Sequence, residues 1–183
     1  MKPLVFCLIF ALSACSRQDE RQHQHDAGFV LPPRAPGQTL ARYCNNPGAL
    51  TYSYPKTPET PTPLAKNLEA KHGIEVYKGP PDKFGAHVIY FKSLEDGRHA
   101  QFLTLRRAYG KYTILDAIKR WSGKHEWKKY LRFVEGRACL SRHDRIGDLS
   151  DAELIRLAIA QSEWEGGPRV DGSLCQTKTK HSH

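Results

Sequence analysis

From Ser93 to Gly167 the sequence carries a succession of signals that open and close helices, and these restrict the body of the fold to packed α-helices. Ser150-Asp151-Ala152-Glu153 is a capping box: the serine hydroxyl accepts from a free N–H of the first turn, and the glutamate reaches back to the serine N–H. Behind it Leu154, Ile155, Ala158 and Ile159 form an apolar stripe, which Gly166-Gly167-Pro168 ends. Ile114, Ala117, Ile118 and Trp121 recur at i, i+3, i+4 and i+7, one face of a helix from Thr113 to Trp121. A third helix is expected from Ser93 to Gly110, although Gly97 inside it costs about 1 kcal/mol relative to alanine. A fourth is expected from His125 to Val134, stopping at Gly136.

Ahead of this helical body the period changes. Ile74 to Tyr77 and His87 to Phe91 are rich in β-branched and aromatic residues and read as two short strands, with Lys78 to Asp82 as the loop between them. Thr39 to Tyr43 reads as a short helical turn, Cys44 to Leu50 as a tight turn, and the four prolines between Pro55 and Pro63 as an exposed loop. The class is therefore α+β, mostly α, with a small β element near the N-terminus. Residues 39–170 are expected to form the domain. Residues 15–38, polar and then proline-rich, make a tether, and residues 171–183 a polar tail.

The N-terminus sets the compartment. Lys2 is followed by an apolar run from Leu4 to Leu12, far shorter than the roughly 20 residues of a spanning helix. Leu12-Ser13-Ala14-Cys15 resembles the lipobox of bacterial lipoprotein signals. That resemblance implies that residues 1–14 are a signal peptide and that Cys15 is lipidated. The mature protein would then be anchored by lipid in the cell envelope. Ser16, where an aspartate would imply inner-membrane retention, points to the outer membrane, facing the periplasm. Loss of Lys2 with the signal lowers the net charge from +9 to +8. Export removes nucleic acid as a partner and leaves the anionic polymers of the envelope, peptidoglycan first among them. Cys44, Cys139 and Cys175 remain as thiols, enough for one disulfide in an oxidising compartment, and the sequence does not choose the pair. No metal or cofactor is implied: His23 and His25 read as solvated tether residues.

Chemistry concentrates at the end of the last helix, Gln161-Ser162-Glu163-Trp164-Glu165-Gly166-Gly167. A carboxylate there sits on the partly negative helix terminus beside Trp164, and both influences are expected to raise its pKa. A carboxyl that stays protonated near neutral pH is what glycoside cleavage uses to protonate the leaving oxygen. Glu163 is the expected acid and Glu165 the alternative. Two residues apart on a helix, they point about 200° from one another, so only one can face a cleft. Glu126 is a candidate second carboxylate, better read as an exposed acid at a helix start. His143-Asp144 reads as a loop.

The chain from Ala41 to Gly166 resembles a family of phage virion and phage-derived bacterial proteins with a lysozyme-like body. The resemblance rests on Arg42-Tyr43-Cys44-Asn45-Asn46-Pro47-Gly48-Ala49, Phe91-Lys92-Ser93 and Glu95-Asp96-Gly97. It continues through Thr113-Ile114 with Ile118-Lys119-Arg120-Trp121, Tyr130 with Val134, and Ala158-Ile159 with Glu163. It implies a lysozyme-like fold, circularly permuted because the acid-bearing helix comes last, and cleavage of peptidoglycan glycan strands in the manner of a lysozyme or lytic transglycosylase. Glu163 would be the catalytic acid, and Asn45 and Asn46 would line the cleft and bind N-acetyl sugars. Ala49 stands where the family has Asn, the proline-rich segment is an insertion beside the cleft, and Ser122-Gly123-Lys124-His125-Glu126 lacks the usual Ala-Pro. These departures leave a second expectation, an idle peptidoglycan-binding or envelope-interaction lipoprotein.

Overall fold

The computed structural model describes residues 29–122 and 126–175, so Cys15, His23 and His25 lie outside the described residues. The chain divides into residues 1–33 and 34–183, and every element below belongs to the second part. In chain order these are α1 Leu40–Tyr43, β1 Thr51–Ser53, α2 Pro63–His72, β2 Tyr77–Pro81, β3 His87–Tyr90, α3 Leu94–Ala108, α4 Ile114–Trp121, α5 Trp127–Ala138 and α6 Asp151–Trp164. The class is α+β with helix predominating, as the helix signals implied. Among the described residues no helix is long and apolar enough to cross a membrane.

The helices begin where short polar side chains can cap them. Thr39, Thr62, Ser93, Thr113 and Ser150 each accept from a backbone N–H of the following turn, and Ser150 and Glu153 complete the capping box. Helix α2 falls partly in the segment that reads as a proline loop. Thr62 caps it, Pro63 occupies the first helical position, where its missing N–H removes nothing, and Gly73 closes it at φ +64°. Helix α5 runs through Gly136 and ends instead at Cys139, which takes the left-handed conformation at φ +54°.

The sheet is antiparallel with order β1-β3-β2. Tyr77 pairs with Tyr90, and Lys78 with Ile89. Thus Lys78 to Pro81 continue a strand rather than forming a loop. Pro80 and Pro81 are accommodated because β2 is an edge strand and the ladder is irregular between Lys78 and Pro81. The third strand, β1, has no counterpart in the sequence reading.

Two apolar clusters form the core. One is helical, built from Leu105, Ile118, Tyr130, Val134, Leu154, Leu157 and their neighbours. The other joins the sheet to α2 through Leu50, Leu68, Ile89 and Phe91. Helix α3 supplies Ala100 to the second and Leu105 to the first, and Trp121 packs against both. The price of Gly97 is explained here: a Cβ at this position would lie 1.8 Å from the Asn45 carbonyl oxygen. Only glycine lets α3 come this close to the Asn45-Asn46-Pro47-Gly48 turn.

Ala49 ends that turn at φ +49°, a conformation in which an L side chain is strained. Ala49→Gly is expected to raise the unfolding free energy by about 0.5–1 kcal/mol, since relief of the strain outweighs the added freedom of the unfolded chain. Thermal unfolding checks this; a lowered midpoint would show that packing of the Ala49 methyl matters more.

Candidate active site

The two glutamates at the end of α6 have opposite environments. The side chain of Glu163 is 4% exposed. Arg137 of α5 grips it with both arms of its guanidinium, Nε to Oε2 and Nη2 to Oε1, each at 2.8 Å. The Val170 N–H donates to Oε1 at 2.9 Å. Arg137 also donates to the Val170 carbonyl. Its hydrogen bonds to Glu163 hold that carboxyl below the ordinary range, and Val170 adds to the effect, outweighing burial, which acts the other way. The expected raised pKa is thus reversed at Glu163. The cation responsible lies on a different helix, where helix-end reasoning does not reach. Trp164, expected to desolvate Glu163, instead stacks on Tyr130 at 5.0 Å between ring centres and packs against Phe133 at 5.6 Å.

Glu165 has the property expected of the acid. It caps α6 at its C-terminal end, half-buried, and desolvation raises its pKa; the Tyr130 hydroxyl and the more distant charge of Lys83 only partly oppose this. Tyr130 is 1% exposed, and its hydroxyl interacts with the Glu165 carboxyl and the Gln161 amide, although neither contact has ideal hydrogen-bond geometry. Both polar atoms of the Gln161 amide, which is fully buried one helical turn before Glu165, likewise close no well-formed hydrogen bond. A buried tyrosine hydroxyl and a buried amide with hydrogen-bonding capacity to spare therefore stand behind a carboxyl that resists ionisation.

Between the two apolar clusters lies a cleft of about 450 Å³. The sheet side contributes Leu50, Thr51 and Leu64, the helical side Tyr109, Arg120 and Trp121, and Tyr54 is at its edge. Tyr109 and Trp121 pack at 5.0 Å between ring centres. Arg120 lies 4.3 Å from the centre of the Tyr112 ring. Tyr54 is 57% exposed and Phe84, on the β2–β3 loop, 59% exposed. These loops adjoin, since a Cβ at Gly85 would lie 3.6 Å from Pro55 Cβ. Flat aromatic faces with few polar groups around them suit a ligand that has both apolar faces and hydroxyl edges, as a sugar ring does. Tyr109 lies within electrostatic range of both Tyr54 and Tyr130, while Glu165 is not among the residues that line the cleft.

Asn45 and Asn46 do not offer their amides to this cleft. Asn46 is 1% exposed; its Nδ2 donates to the carbonyls of Leu50 at 2.8 Å and Ile89 at 2.9 Å, and its Oδ1 accepts from the Leu50 N–H at 2.8 Å. Asn45, at φ +51°, donates from Nδ2 to the carbonyls of Phe91 at 3.0 Å and Lys92 at 3.3 Å. Asn46 staples the turn to β3 and Asn45 staples it to the two residues that follow, because a tight turn beside a strand leaves backbone carbonyls that only side-chain donors can reach.

Glu126 is paired with Lys129 at 2.8 Å, whose hydrogen bond lowers its pKa, so it remains a surface carboxylate. Asp144 accepts from the Ser141 N–H at 2.7 Å, closing the loop that carries His143. Among the described residues, no three His, Cys, Asp or Glu side chains gather as a metal site would require. Tyr130, Gln161, Tyr109 and Arg137 were not singled out from the sequence. Tyr130 entered the sequence reading only as one position of the resemblance, paired with Val134. Comparison with protein-family models, with curated proteins and with solved structures finds no match to this chain.

Proposed function

We propose that this protein is a lipid-anchored envelope enzyme that cleaves peptidoglycan glycan strands, with Glu165 rather than Glu163 as the general acid. The observation that carries this reading is the burial of Glu165 at the end of α6 against Tyr130, which raises its proton affinity, in a domain whose aromatic-lined cleft suits a sugar ring. Lipidation at Cys15 and the tether that follows would hold the domain against the envelope, and its basic surface would concentrate it on an anionic polymer.

The single carboxyl suits the transglycosylase course. Glu165 stays protonated to higher pH than an ordinary carboxylate and gives its proton to the glycosidic oxygen as the C1–O bond breaks. The carboxylate so formed takes the proton of the sugar's own 6-hydroxyl as that oxygen bonds to C1. The products are a free hydroxyl on one fragment and an anhydro sugar on the other, and the acid is regenerated. A second reading, the same cleft binding glycan without cutting it, is favoured by one fact: among the described residues lining the cleft, none is acidic.

The test is digestion of purified peptidoglycan by the full chain, followed by mass spectrometry. Anhydro-muropeptides are expected from the wild type, and reducing ends would instead indicate a muramidase. Glu165→Gln should lower release by about 10²–10⁴-fold. It should also be more stable than the wild type at neutral pH. A carboxyl whose folded pKa is raised imposes no penalty below its unfolded pKa and its full penalty above its folded one. Activity undiminished by Glu165→Gln would overturn the reading. Intact peptidoglycan that still captures the protein would support the second one.

A further inference from the structure

A second cavity, about 270 Å³, opens between α2 and α3. Its floor is apolar, with Leu64, Leu68 and Leu103, and its mouth carries Lys71, His72 and Arg107. No acid is among the described lining residues to balance Lys71 and Arg107. Arg107 Nη1 lies 3.1 Å from His72 Nε2, a contact that requires the imidazole to be neutral and to accept. Desolvation first, and then the charges of Arg107, His99 and Lys71, push the His72 pKa below its ordinary value. Two cations, Lys71 and Arg107, thus converge on a mouth where an anion would relieve their mutual repulsion, with the neutral His72 beside them.

The cavity is not isolated. Leu64, Thr104 and Ala108 line both it and the aromatic cleft, so the two form adjoining chambers along the α2–α3 groove. An occupant of both has a portion suited to aromatic faces and an anionic portion suited to cations above an apolar floor. Inorganic phosphate would gain nothing from Leu64, Leu68 and Leu103. A short peptide would use them, and the Asn67 amide on the same wall suits its backbone.

We infer that this cavity is a subsite for the acidic peptide branch of the glycan, with Arg107 and Lys71 receiving its carboxylate. This rests on the proposed glycan reading and adds the part of the substrate that the aromatic cleft does not contact. Binding would draw Arg107 from His72 to the carboxylate and leave the imidazole free to take up a proton.

The test is calorimetric titration of the full chain with a peptide-bearing muropeptide, a peptide-free N-acetylglucosamine oligomer, the free acidic stem peptide and inorganic phosphate. The same titrations are made on the Lys71→Gln/Arg107→Gln double variant. Lys71 and Arg107 are exposed, so the fold is expected to survive, and its thermal midpoint verifies this. The variant should bind the muropeptide at least about tenfold more weakly and the bare oligomer unchanged. The His72 imidazole should titrate at higher pH in the peptide-bound wild type, read by NMR. Equal muropeptide affinity in wild type and variant would overturn the inference, as would phosphate competing as well as the peptide. Free peptide that binds through Arg107 while no sugar oligomer binds would sustain the subsite and refute the glycan reading.

Discussion

Removing the Cys139–Cys175 disulfide is expected to destabilise the domain by about 4 kcal/mol, the loop-closure entropy of a bridge of this span. The bridge joins residues 36 apart in sequence, with Cα atoms 5.5 Å apart. It ties the segment after α6 to the end of α5. The segment from residue 171 read as a polar tail in the sequence, and Cys175 ties it covalently to the domain. The Cys139→Ser/Cys175→Ser variant, or the reduced wild type, should melt on the order of 10 °C lower. A midpoint within about 2 °C of the oxidised protein would show that the remaining contacts of the segment suffice.

Glu163→Gln is expected to cost about 3 kcal/mol, at the low end for breaking a buried ion pair. Gln keeps one acceptor for Val170 or Arg137 but leaves the guanidinium without its countercharge. Arg137 is 20% exposed, so water recovers part of the loss. The pH dependence identifies the cause. The folded pKa of Glu163 lies below its unfolded value, so its stabilisation is complete above the ordinary carboxylate range and is lost as pH falls through the depressed folded value. The gap between wild type and variant should therefore close in acid, as chemical denaturation across a pH series would reveal. A gap independent of pH would mean that packing, not charge, sets the loss. Glu165→Gln is expected to move stability in the opposite direction, which separates the two carboxyls without any activity measurement.

Local signals were legible where the chemistry is local. The Ser150–Glu153 capping box, the stripe from Ile114 to Trp121 and the α+β class all need only neighbours in sequence. Helix α2 had a legible start at Thr62-Pro63 and a legible stop at Gly73, but the density of prolines before it obscured both. Strand β1 is three residues long and exists because β3 offers it an edge, which no local pattern encodes. At the candidate site, helical geometry separated Glu163 from Glu165 and could not say which faced a cation. That depended on Arg137, on the neighbouring helix. Asn45 and Asn46 marked a turn by residue type, but their amides serve the backbone of β3 and of the residues just after it rather than a ligand.

Cys44, the free cysteine among the described residues, has a consequence for assembly wherever the chain folds under oxidising conditions. Cys44 is fully buried, and burial pushes its pKa up to about 12. Thiol–disulfide exchange requires an accessible thiolate as the attacking group, and in the folded domain Cys44 supplies neither the charge nor the access. Once the core closes over Cys44, the Cys139–Cys175 pair is protected from exchange with it, and Cys44 becomes a spectator that folding itself takes out of the redox chemistry.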